Sequence, residues 1–222
     1  MARGSGLSYQ DYLEALYEMA EEGIPTQQAR LAEWLGVTPA SVSEAVKRLS
    51  GQDLITTGDG RRIRFTKKGD AVARRLVRRH RLAERFLVEI VGLPWHRAHE
   101  EATHWGHVIS EDVEARFVEL LRDPATCVHG NPIPGSSHPV DLEGLRPLEE
   151  APTEAPLRLE RLTEDLELDL SVMRFFEDSG LMPGAELRVV EVAPDRTLTL
   201  DVGGQRVALG AQLADNLWVR AL

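Results

Sequence analysis

At 222 residues the chain can bury a substantial core and exceeds the commonest single-domain length, so two or three modules are expected. Its composition is that of an ordinary soluble globular protein, and the absence of any run of eighteen apolar residues argues against a membrane-spanning helix. The net charge of −10 argues against nucleic acid only if it is spread evenly, and it is not: residues 1–85 carry 15 Lys and Arg against 11 Asp and Glu, whereas the remainder carries 11 against 25.

The chain opens with charged and apolar residues interleaved rather than with a signal-peptide core, and its lone Cys127 cannot form an internal disulfide. A cytoplasmic location is expected. From Ser8 onward, Tyr12, Leu13, Leu16 and Met19 recur at helical spacing until Gly23 and Pro25 stop the pattern. Thr26 is placed to cap a second helix through Leu31 and Leu35, with Gly36 supplying a left-handed turn. Thr38 then caps a third helix, with Pro39 in its first turn and Val42, Ala45, Val46 and Leu49 as its buried stripe. Two β-prone runs around an Asp-Gly pair, Leu54–Thr57 and Ile63–Thr66, read as a hairpin. Helix, helix, turn, helix and hairpin is the order of a winged helix-turn-helix.

In such a unit the third helix lies in the major groove and its first residues meet base edges. The expected contacts to duplex DNA are Thr26, Gln27, Thr38, Pro39, Ala40, Ser41, Ser43, Glu44 and Lys47, with Arg61 and Arg62 on the wing. Small and hydroxyl-bearing side chains suit phosphates and thymine methyls better than bidentate base readout, so DNA shape is expected to contribute to the sequence preference. The basic density peaks between Arg61 and Arg81, where a solvated helix face is the plain alternative to a phosphate-binding surface.

Beyond the hairpin, a helix is expected from Lys68 to about Val91, broken by Gly-Leu-Pro, and another from Trp95 to about Leu121. His80 and Glu84 stand at i and i+4 on the first, and Glu100, Thr103, His104 and His107 fall on one arc of the second, flanked by His99. A lone histidine on an apolar face is usually a core residue. Several histidines with acids on neighbouring helices, followed by a Cys127-x-His129 loop, point instead to a divalent metal, and a single cysteine argues against a structural zinc. Residues 122–157 read as loop and linker, and beyond them a short helix and the runs ELRVVEV, TLTLDV, QRVAL and LWVRAL form a small β-barrel.

The strings RRHRLAERFLVEIVGLPW, AHEEATHWGHVISEDVEARF and HGNPIPG resemble the diphtheria-toxin-repressor family of iron- and manganese-dependent regulators. The resemblance implies a mostly α chain with small β parts in four stretches. These are a winged helix-turn-helix DNA-binding domain at 1–72, a helical dimerisation and metal-binding domain at 73–142, a linker at 143–156 and an SH3-like barrel at 157–222. It implies an ancillary metal site at His80, Glu84 and His99, an anion held by Arg81 and Asn131, and, as in manganese-selective members, a site using Cys127, His129 and an acid matched by Asp169. It also implies a primary site at Asp11, Glu14 and His107 that ties the DNA-reading head to the metal. There the chain departs from the family, with Thr103 and Gly106 where further ligands stand, so Glu100 and His104 are the expected substitutes. The alternative is a degenerate primary site, with sensing left to the Glu84, Cys127, His129 and Asp169 group.

The expected function is a homodimeric repressor of metal-homeostasis genes, activated by Mn(II), with Fe(II) second because Asp11 and Glu14 are hard oxygen donors. Its expected partners are duplex operator DNA and a second copy of the chain, with no membrane and no small organic substrate. The rivals are a metalloenzyme, which the absence of an HExxH motif disfavours, and a metal-independent winged-helix regulator sensing a small molecule through the barrel.

Overall fold

The computed structural model describes residues 7–58 and 62–222. The chain divides into two compact units, one of residues 1–80 with 106–108, the other of residues 81–105 with 109–222.

In the first unit, α1 (Tyr9–Glu21) starts from Ser8, whose hydroxyl accepts from the Gln10 and Asp11 amides while the Asp11 carboxylate takes the Ser8 amide at 2.5 Å. That reciprocal cap anchors α1 and fixes Asp11 in its first turn. Helix α2 (Gln28–Leu35) ends on Gly36 in the left-handed region, φ 64°. Thr38 caps α3 (Pro39–Gly51) through the Ser41 amide, as its sequence position predicts. Leu13, Leu16, Met19, Leu31, Val42 and Leu49 interlock in one core with Ile55 and Ile63 of the wing.

The wing is the antiparallel pair β1 (Ile55–Thr57) and β2 (Ile63–Phe65). Thr26 does not cap α2: its hydroxyl donates to the Ile63 carbonyl, the Ile63 amide returns the bond, and Gln27 bridges Arg62, so Gln27 becomes the cap residue. The reason is competition, because the exposed wing edge offers Thr26 both a donor and an acceptor. Thr66 opens α4 (Lys67–Phe86), its hydroxyl accepting from the Gly69 amide.

In the second unit, α4 unwinds into a π-turn at Leu87–Val91 and closes on Gly92. The single helix expected from Trp95 to Leu121 is instead a 3₁₀ turn (Trp95–Arg97), α5 (Ala98–Trp105) and α6 (Glu111–Leu121). The break falls at residues 106–110, where Ser110 caps α6 through the Val113 amide. Phe86 stacks on Phe117 at 4.3 Å inside a small core with Leu82, Leu87, Ala102 and Ile133.

The C-terminal part is a six-stranded antiparallel sheet. Its strands β3 (Arg146–Pro147), β4 (Leu157–Leu162), β5 (Glu186–Val192), β6 (Leu198–Val202), β7 (Gln205–Leu209) and β8 (Leu217–Ala221) run in the order β3-β8-β4-β5-β6-β7. Bulges in β4 and β5 bend it around an apolar core that also takes in Trp95. Residues 143–156, expected to be a free linker, contribute β3 and the fully buried Leu148, because pairing with β8 satisfies the backbone there and Leu148 fills the sheet core. Two short helices, α7 (Glu164–Glu167) and α8 (Leu170–Asp178), follow β4, and a third, α9 (Ala211–Ala214), precedes β8. Among the described residues no helix is long and apolar enough to cross a membrane.

Candidate functional site

Within the first unit the structure brings Asp11, Glu14 and His107 together. His107 Nε2 lies 3.4 Å from Glu14 Oε2 and 3.6 Å from Asp11 Oδ1, and the Ser8 hydroxyl stands 3.5 Å from Nδ1. Helical spacing sets Asp11 and Glu14 on one face of α1, and the three-residue segment 106–108 delivers the imidazole. Donation of a hydrogen bond to the Glu14 carboxylate, against the pull of burial and with the charges of Glu14 and Asp11, raises the His107 pKa. Glu14 is buried, and its Oε1 makes no hydrogen bond. A buried carboxylate oxygen without a partner costs free energy unless something cationic meets it. Two carboxylates and an imidazole within one ligand sphere therefore fit a divalent cation.

The second unit holds a larger cluster. Glu84 enters from α4, His99 from α5, Cys127 and His129 from the loop before the sheet, and Glu164 and Glu167 from α7, all buried. His99 Nδ1 lies 3.3 Å from Glu84 Oε1 and 3.1 Å from Glu167 Oε2, and His129 Nδ1 lies 3.4 Å and 2.7 Å from the same two oxygens. Neither His129 ring nitrogen makes a directed hydrogen bond, although the whole residue is buried. That is the arrangement expected of an imidazole shaped to bind an ion.

Local structure explains how the loop reaches this place. The Cys127 amide donates to the Asn131 carbonyl, the Gly130 amide to the Cys127 carbonyl, and the Leu162 amide of β4 to the His129 carbonyl. Gly130 has φ 90°, and a Cβ there would come within 2.0 Å of the Glu160 carbonyl oxygen, so only glycine lets the loop lie against the strand. Trp95 meets the His129 ring edge-on at 4.8 Å and donates its indole N–H to the Val128 carbonyl. Its own amide is held by Glu177, which also takes the amide and Nδ1 of His96.

The electrostatics are those of a buried acid–base knot. Burial opposes protonation of His99, but the Glu167 and Glu84 carboxylates more than reverse it and raise its pKa to about 10. The same two charges overcome burial at His129 and lift it as well. Burial and the Glu84 charge push the Cys127 thiol to about 12. Glu167 is drawn down by His129 in spite of burial, while burial and the Glu167 charge raise Glu164 although Arg81 opposes them.

Several sequence expectations have a different outcome. Asp169 is not in the cluster: it is exposed, and its carboxylate caps α8 through the Ser171 and Val172 amides. The acids of the C-terminal domain that face the loop are Glu164 and Glu167, one turn apart on α7, turned inward because Leu166 between them is buried in the sheet core. The acid-rich TEDLELD run with its i, i+3 pair was the available signal. Arg81 and Asn131, expected to hold an anion, hold protein carboxylates instead, Arg81 Nη2 at 2.6 Å from Glu164 Oε1 and Asn131 Nδ2 at 2.8 Å from Glu167 Oε1. Glu100 and His104 are exposed, and His104 Nδ1 folds back to within 3.0 Å of the Glu100 carbonyl. The Thr103 hydroxyl donates to the His99 carbonyl. Among the described residues none of Glu100, Thr103, His104 and Asp169 joins a group of three metal-type side chains. His80 is buried at the end of the first unit, one turn before Glu84 on α4.

On the DNA side, Thr38, Pro39, Ala40, Ser41, Ser43, Glu44 and Lys47 are all exposed on α3, Gln27 and Arg62 are exposed beside the wing, and Thr26 is half-buried. Arg61 lies outside the described residues.

Comparison with known proteins gives three domain matches: the iron-dependent repressor N-terminal DNA-binding domain at residues 7–61, the iron-dependent repressor metal-binding and dimerisation domain at 66–135, and the FeoA domain at 146–221. The iron-dependent repressor IdeR of Mycobacterium tuberculosis is 38% identical over 213 residues, covering 91% of this chain and 92% of its own. The diphtheria toxin repressor of Corynebacterium diphtheriae is 32% identical over 219 residues, covering 95% and 96%. Among solved structures, a manganese-dependent transcriptional repressor in complex with manganese superposes with TM-score 0.83 at 30% identity, over 97% of this chain and all of the other.

Proposed function

Since the chain belongs to the diphtheria-toxin-repressor family of iron- and manganese-dependent regulators, we propose that Mn(II), ahead of Fe(II), is the ion that activates it, and that it acts on metal-homeostasis genes in the cytoplasm. The family makes it a divalent-metal-dependent, DNA-binding transcriptional repressor rather than an enzyme, with duplex operator DNA and a second copy of itself as partners. One observation carries the choice of metal. The donors gathered in the DNA-binding unit, Asp11, Glu14 and His107, are two carboxylates and an imidazole without sulfur, a set that favours harder ions.

A bound divalent ion supplies the positive charge that the two α1 carboxylates and the unpaired Glu14 Oε1 call for. Asp11 also closes the cap of α1 through the Ser8 amide, so the residue that would hold the ion also fixes the start of a helix packed in the core of the DNA-reading head. Only an arrangement that binds the ion more tightly can be enriched by it, so operator affinity follows metal through a shift in population. Exposed α3 then presents Thr38, Ser41 and Ser43 to phosphates and base edges, within an acidic chain that keeps non-specific affinity low.

The test is a gel-shift titration with Mn(II), anaerobic Fe(II), Zn(II) and chelator, on the native chain and on Asp11→Met. Operator binding should require metal, with the half-saturating Mn(II) concentration at least tenfold higher for the variant and the Fe(II) response less affected. Metal-independent binding would sink the reading, and equal loss of Mn(II) and Fe(II) response in the variant would remove the preference.

A further inference from the structure

We infer that a cleft in the second unit, between the Cys127–Gly130 loop and the β-sheet, binds a small aliphatic carboxylate, taken as an effector rather than as a substrate. The cleft has a volume of about 270 Å³, just under the range of sites for drug-sized ligands. Its lining includes none of the histidines or carboxylates of the buried cluster, and neither Arg81 nor Asn131.

Two arginines supply its positive charge. Arg85 is held by its own bonds, with Nε donating to the Thr126 carbonyl at 2.8 Å and Nη1 pairing with Glu89 at 3.0 Å. A guanidinium fixed in this way meets a ligand without the entropy cost of ordering a free side chain. Arg161 is only 7% exposed and lies over the Trp218 ring at 5.9 Å. It follows Glu160 directly in β4, yet both line the cleft, because the bulge between Leu159 and Arg161 breaks the alternation of the strand.

The two carboxylates that line the cleft already have cations of their own: Glu160 Oε1 lies 2.8 Å from Arg158 and Asp141 Oδ2 lies 3.5 Å from Arg220. Compensated in this way, they put little repulsion on an incoming anion. The apolar part of the lining is Val140, Leu142, Leu145 and Pro183. Inorganic phosphate would leave that surface to water, whereas an aliphatic acid covers it and gives its carboxylate to a guanidinium fork. At Gly184 nothing lies within 4 Å of where a β-carbon would stand, so the wall leaves room for the ligand there. Cys127 and Gly130 belong both to the lining and to the loop that carries His129, so a seated ligand bears on that loop. Metal and carboxylate then change each other's affinity by the same factor. This link rests on the metal-sensor reading, but the binding of the carboxylate does not.

The experiment titrates the metal-free full chain with 4-methylpentanoate as probe, followed by saturation-transfer NMR and calorimetry. A dissociation constant of about 1 mM or tighter is expected. The uncharged 4-methylpentanamide and inorganic phosphate should each bind about tenfold more weakly, one lacking the charge-assisted bond and the other the apolar contact. Leu142→Asp, at a side chain that is already exposed, should weaken the probe by about tenfold with the fold intact, and Arg85→Gln should do the same. No binding of the acid, equal binding of acid and amide, or undiminished binding by Leu142→Asp overturns the site. Saturating Mn(II) in place of chelator should change the probe's constant by about fivefold or more. Equal constants overturn the effector role, and metal-dependent operator binding in a gel shift of the same sample shows whether the sensor reading stands.

Discussion

Gly130→Ala tests how the Cys127–His129 loop is held. Gly130 has φ 90°, where a β-carbon costs about 1–2 kcal/mol of backbone strain. The added methyl would also meet the Glu160 carbonyl oxygen at 2.0 Å and Arg161 Cα at 2.7 Å, contacts that must open by moving backbone, at about 1–3 kcal/mol by the usual cost of overpacking. Moving the loop off β4 breaks the bond from the Leu162 amide to the His129 carbonyl, a further loss of about 1 kcal/mol. The total is about 3–6 kcal/mol, a large part of a typical domain stability. Gly184→Ala is the control: its φ is 93° but no atom lies within 4 Å of the added carbon, so it should lose only the strain of about 1–2 kcal/mol. Urea unfolding of both metal-free variants, followed by fluorescence, measures the difference. The metal count of Gly130→Ala should also fall, because His129 moves with the loop. If the two variants unfold within about 1 kcal/mol of each other, the close packing of the loop on β4 is not what requires glycine.

Other outcomes follow from the same structure. Glu177→Ala removes the acceptor for the Trp95 and His96 amides and should cost about 1–3 kcal/mol in urea unfolding, with a smaller drop in metal affinity because Trp95 sets the His129 ring. Although burial works against it, bonding to His96 and the two amides holds the Glu177 carboxyl below its usual range. Its contribution is therefore present above the unfolded carboxylate value and lost as pH falls through the lower folded one, and Glu177→Gln should flatten that acid limb. His99 behaves in the opposite sense: with its pKa raised to about 10, metal-free stability is full below the free imidazole value and declines as pH rises toward 10, which thermal melts from pH 6 to 10 should show and His99→Asn should abolish. Lys47→Ala should weaken operator binding for all sequences alike and make its salt dependence shallower by about one unit of slope, read from gel shifts across a salt series.

Much of the first unit was legible because its signals are local. Thr38 and Pro39, Gly36 and the stripe of Val42, Val46 and Leu49 act within one or two helical turns, so spacing alone located α3 and its buried face. Asp11 and Glu14 shared a helix face for the same reason. Thr26 departs from its expected capping role because its partner, Ile63, lies 37 residues away, where only the folded wing supplies the acceptor.

Residue types and helical spacing are enough to reveal the donors and the neighbours that share a turn: the winged helix, the α1 carboxylates, the Glu84 position and the Cys127-x-His129 loop. Which distant donors meet depends on how the segments pack. Glu167 rather than Asp169 faces His129 because Leu166 is buried in the sheet core and turns α7 inward, while Asp169 is spent on the cap of α8. Arg81 and Asn131 grip protein carboxylates rather than an anion because α7 carries those acids into their reach. Such pairings depend on packing between segments far apart in the chain, where helical periodicity gives no register.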